Sequence, residues 1–327
     1  MKLINGEGTL ALPNLVSKIG MGAFSGVEGL KTIIIPSSVK EIGDYAFSYN
    51  KEIERVVIEG DLKRIGHYAF DQATNLREIN LPNFISEIGI FAFRNTQISE
   101  VTVPQNVQTI SVLTFGNCSK LKKIVLQEGL KSISSYAFKL SSGIKELTFP
   151  ESLETISGHS LNYMYSIQNI NIGKNVKSID SVFRPGNYSG NINIDSQNPY
   201  YVVENKILYK KNNGKKDTLV SVLYKIDGTI ELDSKVKTIG YYSFYGQSGL
   251  KELVIPEGIE KIEASAFTNC PSLLKIEIPK TVKSIGDSCF SDNTSSLEEI
   301  LIKNKENSIT GAPWGAAKGM KVVQWKK

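Results

Sequence analysis

Apolar residues recur along this chain on two interleaved beats. The first is a hexapeptide of the form I-G-x-x-A-F. It reads IGMGAF to Phe24, IGDYAF to Phe47, IGHYAF to Phe70 and IGIFAF to Phe93. Looser copies run ISVLTF to Phe115, ISSYAF to Phe138 and ISGHSL to Leu161, and a shortened IDSVF ends at Phe183. The pattern returns as IGYYSF to Phe244, IEASAF to Phe267 and IGDSCF to Phe290, and closes as ITGAPW at Trp314. The leading isoleucines, from Ile19 to Ile309, are spaced 23, 23, 23, 22, 23, 23, 23, 60, 23, 23 and 24 residues apart. Chance does not produce that series, so the chain is a repeat protein.

The second beat is L-x-x-I-x-I, often followed by proline. Leu30-Ile33-Ile35-Pro36, Leu76-Ile79-Leu81-Pro82, Ile98-Val101-Val103-Pro104 and Leu250-Leu253-Ile255-Pro256 are copies. The I-x-I core has the two-residue period of a strand with one buried face. Proline then ends the strand, because it cannot donate the next ladder hydrogen bond. Four residues further on, Val39, Ile85, Val107, Val236 or Val282 turns the chain back inward. A unit of 23 residues cannot bury its own apolar face, but stacked units share one continuous core. The fold class expected is a repeat solenoid, with a parallel β-sheet on one face and short helical turns and loops on the other. In this reading the glycine after each isoleucine permits a tight bend into the helical turn, and the alanine is small to allow close packing.

The I-G-x-x-A-F hexapeptides and L-x-x-I-x-I-P strands resemble the BspA-like leucine-rich repeat family, largely cell-surface proteins of gut and oral bacteria and some parasitic protists. The resemblance runs from about Leu10 to the C-terminus. It implies a leucine-rich repeat solenoid at the cell surface, or secreted, with a recognition or adhesion role toward a protein or glycan. The matched residues are all scaffold, so no site residue comes with them.

The rhythm breaks once. From Ile192 to Ile230 there are 38 residues where about 23 are expected, and the hexapeptide half of that unit is missing. Two β-rich runs, Tyr200–Tyr209 and Thr218–Tyr224, flank Asn212-Asn213-Gly214, the signature of a hairpin. The organisation expected is therefore repeats over residues 1–195, a β-hairpin insertion over 196–229, and repeats with a C-terminal cap over 230–327. Trp314, Met320, Val323 and Trp325 supply the cap, since terminal repeats must close the core.

Composition changes this picture little. The hydrophobic share of 41%, charged share of 22% and net charge of +5 belong to an ordinary folded chain. Nothing approaches a membrane-spanning apolar run, and the scattered lysines are weak evidence for nucleic acid. The first ten residues carry no readable signal peptide. Cys118, Cys270 and Cys289 read as buried thiols, without metal-like spacing or an even disulfide count. His67 and His159, 92 residues apart, read as variable surface positions. No nucleophile elbow, phosphate loop, metalloprotease or dinucleotide motif is present, so no enzymatic activity, cofactor or metal is expected.

What remains are ladders, which stacking produces automatically. The residue two before each phenylalanine (Tyr45, Tyr68, Phe91, Leu113, Tyr136, His159 and later Tyr242) forms an aromatic stripe, read as packing between turns ahead of a ligand platform. The outward face of the strands forms the other ladder, with Thr32 and Ile34, Arg55 and Val57, Lys123 and Val125, and Glu299 and Leu301 among its members. The candidate binding residues there are Glu78, Asn80, Glu100, Thr102, Glu146 and Thr148. A second candidate site is Lys210, Lys211, Lys215 and Lys216 on the insertion, where lysines accompany Tyr200, Tyr201, Tyr209 and Tyr224. A structural insert, with lysines guarding its edge strands, ranks ahead of a recognition arm. The partner expected is a protein or glycan of the extracellular matrix or cell surface, bound by a monomer without membrane insertion. The alternative is a structural spacer that displays other modules.

Overall fold

The computed structural model describes residues 8–179, 183, 190–293, 296–305, 308–312, 314–316 and 322–325. The chain divides into two compact units, residues 1–182 and 183–327.

Each repeat contributes a long strand from the L-x-x-I-x-I beat and a two-residue strand from the start of the hexapeptide. In the first unit the long strands include Thr9–Ala11, Thr32–Ile35, Arg55–Ile58 and Glu78–Ile79, and the short ones Lys18–Ile19, Glu41–Ile42, Arg64–Ile65 and Glu87–Ile88. Successive rungs pair in parallel at a one-repeat offset, as in Ile33 with Val56 or Ile42 with Ile65. The short strands therefore make a second parallel sheet, which ends just ahead of the glycine where each helical turn was expected to begin. Both ladders lose their pairing at one repeat. Glu78–Ile79 has no ladder to Glu100–Val103, and Glu87–Ile88 has none to Thr109–Ile110. The cause is visible in the sequence: from phenylalanine to the next strand leucine or isoleucine takes five residues at Phe93–Ile98 and six at Phe70–Leu76.

The helical turns are a correction. Among the described residues there is no helix. The hexapeptide instead forms tight turns, with an N–H to O=C bond from Ala46 to Gly43 of 3.3 Å and from Ser48 to Tyr45 of 3.1 Å. The residue two before each phenylalanine has positive φ: Tyr45 at 57°, Tyr68 at 56°, Phe91 at 58°. One left-handed residue per turn stops helix propagation. The glycine that follows isoleucine is needed for another reason than the expected bend. A Cβ on Gly66 would lie 2.6 Å from the Asp44 nitrogen, and one on Gly89 2.5 Å from the His67 nitrogen, so at these two rungs a larger residue would require a local shift of the backbone.

Inside, Phe24, Phe47, Phe70, Phe93, Phe115 and Phe138 stack with centroids 5.4–5.9 Å apart. Phe244, Phe267 and Phe290 repeat this in the second unit, at 4.9 and 5.7 Å. Beside them runs a polar thread. At several rungs the side chain three after the phenylalanine donates to the previous repeat's phenylalanine carbonyl: Asn50 to Phe24 at 2.6 Å, Cys118 to Phe93 at 3.1 Å, Cys270 to Phe244 at 3.1 Å and Asn293 to Phe267 at 2.7 Å. Buried carbonyls need such partners.

The interruption is a three-stranded antiparallel meander in place of the single hairpin expected. Its strands are Tyr201–Glu204, Ile207–Asn212 and Lys215–Val222. The extra turn at Asn205-Lys206, with φ of 50° and 57°, lacks the glycine that marks Asn213-Gly214 at 49° and 74°. The last meander strand pairs in parallel with Thr238–Ile239, Leu219 opposite Ile239. Leu219 thus stands where the missing hexapeptide's isoleucine would, and Ile207, Tyr209 and Val222 join the second unit's core. At the C-terminus, strand Val322–Trp325 pairs with Glu299–Ile302, and Trp314 is buried. Met320, and Val182 of the shortened hexapeptide, lie outside the described residues.

Candidate functional site

The outward ladder of the long strands forms in register, but the sheet breaks distribute it. Glu78 and Asn80 lie beyond Arg55 and Val57, whereas Glu100 and Thr102 pair with Lys123 and Val125, and Glu146 and Thr148 with Asn169 and Asn171. All six candidates are exposed, and Glu78, Asn80, Glu100, Glu146 and Thr148 have local work. Glu78 pairs with Arg55 at 3.4 Å and Glu100 with Lys123 at 3.9 Å, exposed pairs that contribute little. Asn80 uses its amide as a backbone substitute, accepting from the Ile58 N–H and donating to the Ile58 carbonyl, both at 2.8 Å. Asn169 and Asn171 donate to Glu146 at 3.4 Å and Thr148 at 3.2 Å. Leu301, expected on this face, is buried.

One concavity on this face lies between Lys123–Leu126 and Glu146–Thr148, which share no strand pairing. It is a groove of about 820 Å³, with the exposed Val125 as apolar surface above the buried Phe149 and Pro150, and Thr148 as a hydroxyl. Lys122 and Lys145, both exposed, line it where the strands begin. Glu128 lines it where they end. Partial burial pushes the Glu128 carboxyl up, but the N–H groups of Glu151 and Ser152, at 3.0 Å each, outweigh this and hold it below the ordinary range. Lys122 and Lys145 were not singled out from sequence. Their signal is the repeated doublet Leu121-Lys122 and Ile144-Lys145, one place before the face that alternation marks.

The four insertion lysines separate into two kinds. Lys210 and Lys215 are exposed. Lys211 donates to the Asn198 carbonyl. Lys216 is bound to Glu204 at 2.6 Å and Asp233 at 2.5 Å and sits 5.0 Å over the Tyr209 ring. Burial would lower its pKa, but the two carboxylates outweigh that and raise it. Of the four tyrosines, Tyr201 and Tyr209 are buried and Tyr200 is exposed. The insert is thus largely structural in its contacts.

The short-strand ladder carries charge as well. Lys18, Glu41, Arg64 and Glu87 occupy one column with ion pairs of 3.0 Å between neighbours. Arg64 adds Asp44 at 3.0 Å. His67 is no free surface histidine: its Nδ1 accepts the Ile90 N–H at 3.0 Å, and its own N–H donates to Asp44 at 2.9 Å. Among the described residues no group of three or more His, Cys, Asp or Glu could hold a metal ion, and no helix is long and apolar enough to cross a membrane.

Stacked parallel rungs of about 23 residues, with an apolar spine and variable outward positions, define a leucine-rich repeat protein. The chain belongs to the BspA type leucine rich repeat family, whose pattern it matches over residues 8–122, 113–212 and 223–313. No curated protein sequence matches it. Solved structures of similar fold include a leucine rich cell surface protein from Faecalibacterium prausnitzii A2-165, at 22% identity and TM-score 0.60, over 88% of this chain and 77% of that one. A leucine-rich repeat protein from Bacteroides ovatus ATCC 8483 has 21% identity and TM-score 0.63, over 95% and 88%. One from Eubacterium ventriosum ATCC 27560 has 25% and 0.57, over 83% and 64%. At such identities the likeness speaks for the fold.

Proposed function

We propose that this chain is a non-enzymatic recognition protein of the cell surface, adhering to a host or neighbouring-cell protein or glycan through the outward face of its long strands. One observation carries the reading. The groove between Lys123–Leu126 and Glu146–Thr148 opens apolar surface, lysines and a hydroxyl together, the mixture that recognition sites use. The lysines favour an acidic partner by steering its approach. A cell-surface setting is supported by the family and by the description of the Faecalibacterium prausnitzii protein.

The test is a screen of the purified chain against extracellular-matrix proteins and glycans, followed by variants measured on one confirmed ligand. Lys145→Glu with Thr148→Arg should weaken binding roughly tenfold or more while leaving the melting temperature unchanged, because both side chains are exposed. Glu78, Asn80, Glu100 and Thr102 form the next patch to vary. Lys210→Ser with Lys215→Ser probes the insert without disturbing the Lys216 network. Loss of binding in that pair alone would move the site to the insert. No change in any of these variants would reject the strand face.

A further inference from the structure

The turn face of the first unit carries a ring stack with one open end. Tyr45 and Tyr68 lie with centroids 4.7 Å apart and planes 5° apart, and Tyr68 and Phe91 at 4.6 Å and 7°. The guanidinium of Arg94 lies over the Phe91 ring at 4.6 Å, held by two 2.8 Å bonds to the buried Asp71 of the preceding repeat. Beyond Phe91 the next place in the column is held by Leu113, at φ 52°, so that end is filled.

At the other end the column reaches a glycine. Gly22 occupies the place before Tyr45, fixed by its N–H bond to the Asp44 carbonyl at 2.9 Å. A Cβ on Gly22 would meet nothing within 4 Å. The companion position repeats the arrangement: Gly26 precedes Tyr49, and a Cβ there also meets nothing within 4 Å. Tyr45 and Tyr49 are accordingly 41% and 56% exposed, whereas Tyr68 and Phe91 are partly buried.

We propose that the open face of Tyr45, above Gly22, binds one flat aromatic ring from a Tyr, Phe or Trp side chain of a partner protein. The stack itself points to the guest, since centroid steps of 4.6–4.7 Å between nearly parallel planes are those of offset-stacked aromatic pairs. The nearby Asp44 carboxylate is already engaged, its Oδ1 taking the His67 N–H and the Arg64 guanidinium of the following repeat. Met21, 74% exposed beside Gly22, adds a thioether that favours an aromatic neighbour. This site is on the turn face, away from the strand-face residues, and stands or falls separately from the strand-face reading.

The test uses the full chain and two probes, N-acetyl-tryptophanamide and a Gly/Ser peptide with a single central Trp, titrated by NMR on the tyrosine ring signals. Both should bind weakly and saturably, and the peptide with Ala in place of Trp should not. Tyr45→Ala should weaken both roughly tenfold. Gly22→Tyr should abolish both by completing the stack from within. It should fold, because tyrosine already holds this turn position at φ 57° in Tyr45 and 56° in Tyr68, near the 62° of Gly22. Lys145→Glu with Thr148→Arg should leave both probes unaffected, which keeps a failure here distinct from a failure of the strand-face site. Unchanged binding in Tyr45→Ala and Gly22→Tyr would overturn the site. Binding of methyl glucoside or an arginine peptide in preference to the Trp probes would overturn the guest. Binding of the amide without the peptide would overturn the partner-side-chain source.

Discussion

At the scale of single residues, the repeat phenylalanines decide stability. Phe70 is fully buried, with Phe47 on one side and Phe93 on the other. Stacked rungs give the site little room to collapse, so Phe70→Ala should cost roughly 3–5 kcal/mol in denaturant unfolding. A loss under about 1 kcal/mol would contradict this packing. The cysteines offer an independent check. Burial pushes the Cys118 thiol up to about 11 and Cys270 up to about 12, and raises Cys289 as well. The reactive thiolate is therefore scarce and enclosed. Native labelling should be slow at all three and fast once the chain unfolds; prompt native labelling would place them elsewhere. Their burial was legible in the sequence, from the place of Cys118 and Cys270 three after a repeat phenylalanine. Their donation to carbonyls was not, because a thiol reads as a small apolar group. The left-handed tyrosines were equally hidden, since neither Tyr45 nor Tyr68 is a residue that advertises positive φ.

At the scale of elements, the charged column on the short strands ties rungs together in a pH-dependent way. For Glu41 the hydrogen bond from Lys18 comes first, and with Arg64 it outweighs a burial cost and lowers the carboxyl below 4.5. For Asp44 burial pushes upward, but the His67 N–H and Arg64 outweigh it and hold the carboxyl below 3.8. Depressed carboxylates contribute stability above their unfolded values, and that stability is lost as pH falls through the lower folded values. Arg64→Ala should therefore destabilise near neutral pH, and the gap to the parent should close in acid below those values. A gap constant with pH, followed by thermal melting, would mean that packing of the arginine stem matters and its charge does not. The elements themselves were largely readable, because strand alternation and the phenylalanine beat are local signals. The meander was half readable: Asn213-Gly214 announces its turn, Asn205-Lys206 does not. The anchoring of Lys216 by Asp233, 17 residues away, had no local signal at all. The groove at Lys123–Leu126 and Glu146–Thr148 depends on where strand pairing stops, which repeat spacing alone does not disclose.

At the scale of the whole molecule, stability in repeat proteins is close to a sum of unit and neighbour terms, so one weak junction matters. The 22-residue spacing between Ile88 and Ile110 makes such a junction within the first unit. There the strands on both edges stop pairing. Continuity passes instead through the turns, with Phe91 N–H to Val112 O and Phe93 N–H to Thr114 O at 2.9 Å, and through the Phe93–Phe115 contact at 5.6 Å. On the short-strand edge, the Gly89 N–H reaches Ile65 O at 2.9 Å, while Ser111 reaches Ile88 O through its hydroxyl at 3.0 Å. With the Gln97 N–H to Leu76 O at 2.9 Å as the backbone bond kept before the long strands, the corner carries most of what two edges and a corner share elsewhere, which is the construction of a fold line. Under tension along the stack this is where the first unit should tear, leaving intact blocks on either side, and at rest it is where the blocks should flex. Hydrogen exchange reads the same weakness without force. Amides of Glu100–Val103 and Thr109–Ile110 should exchange ahead of those in Thr32–Ile35 and Glu41–Ile42. Uniform protection across the four strands would show that the corner alone bears the full load.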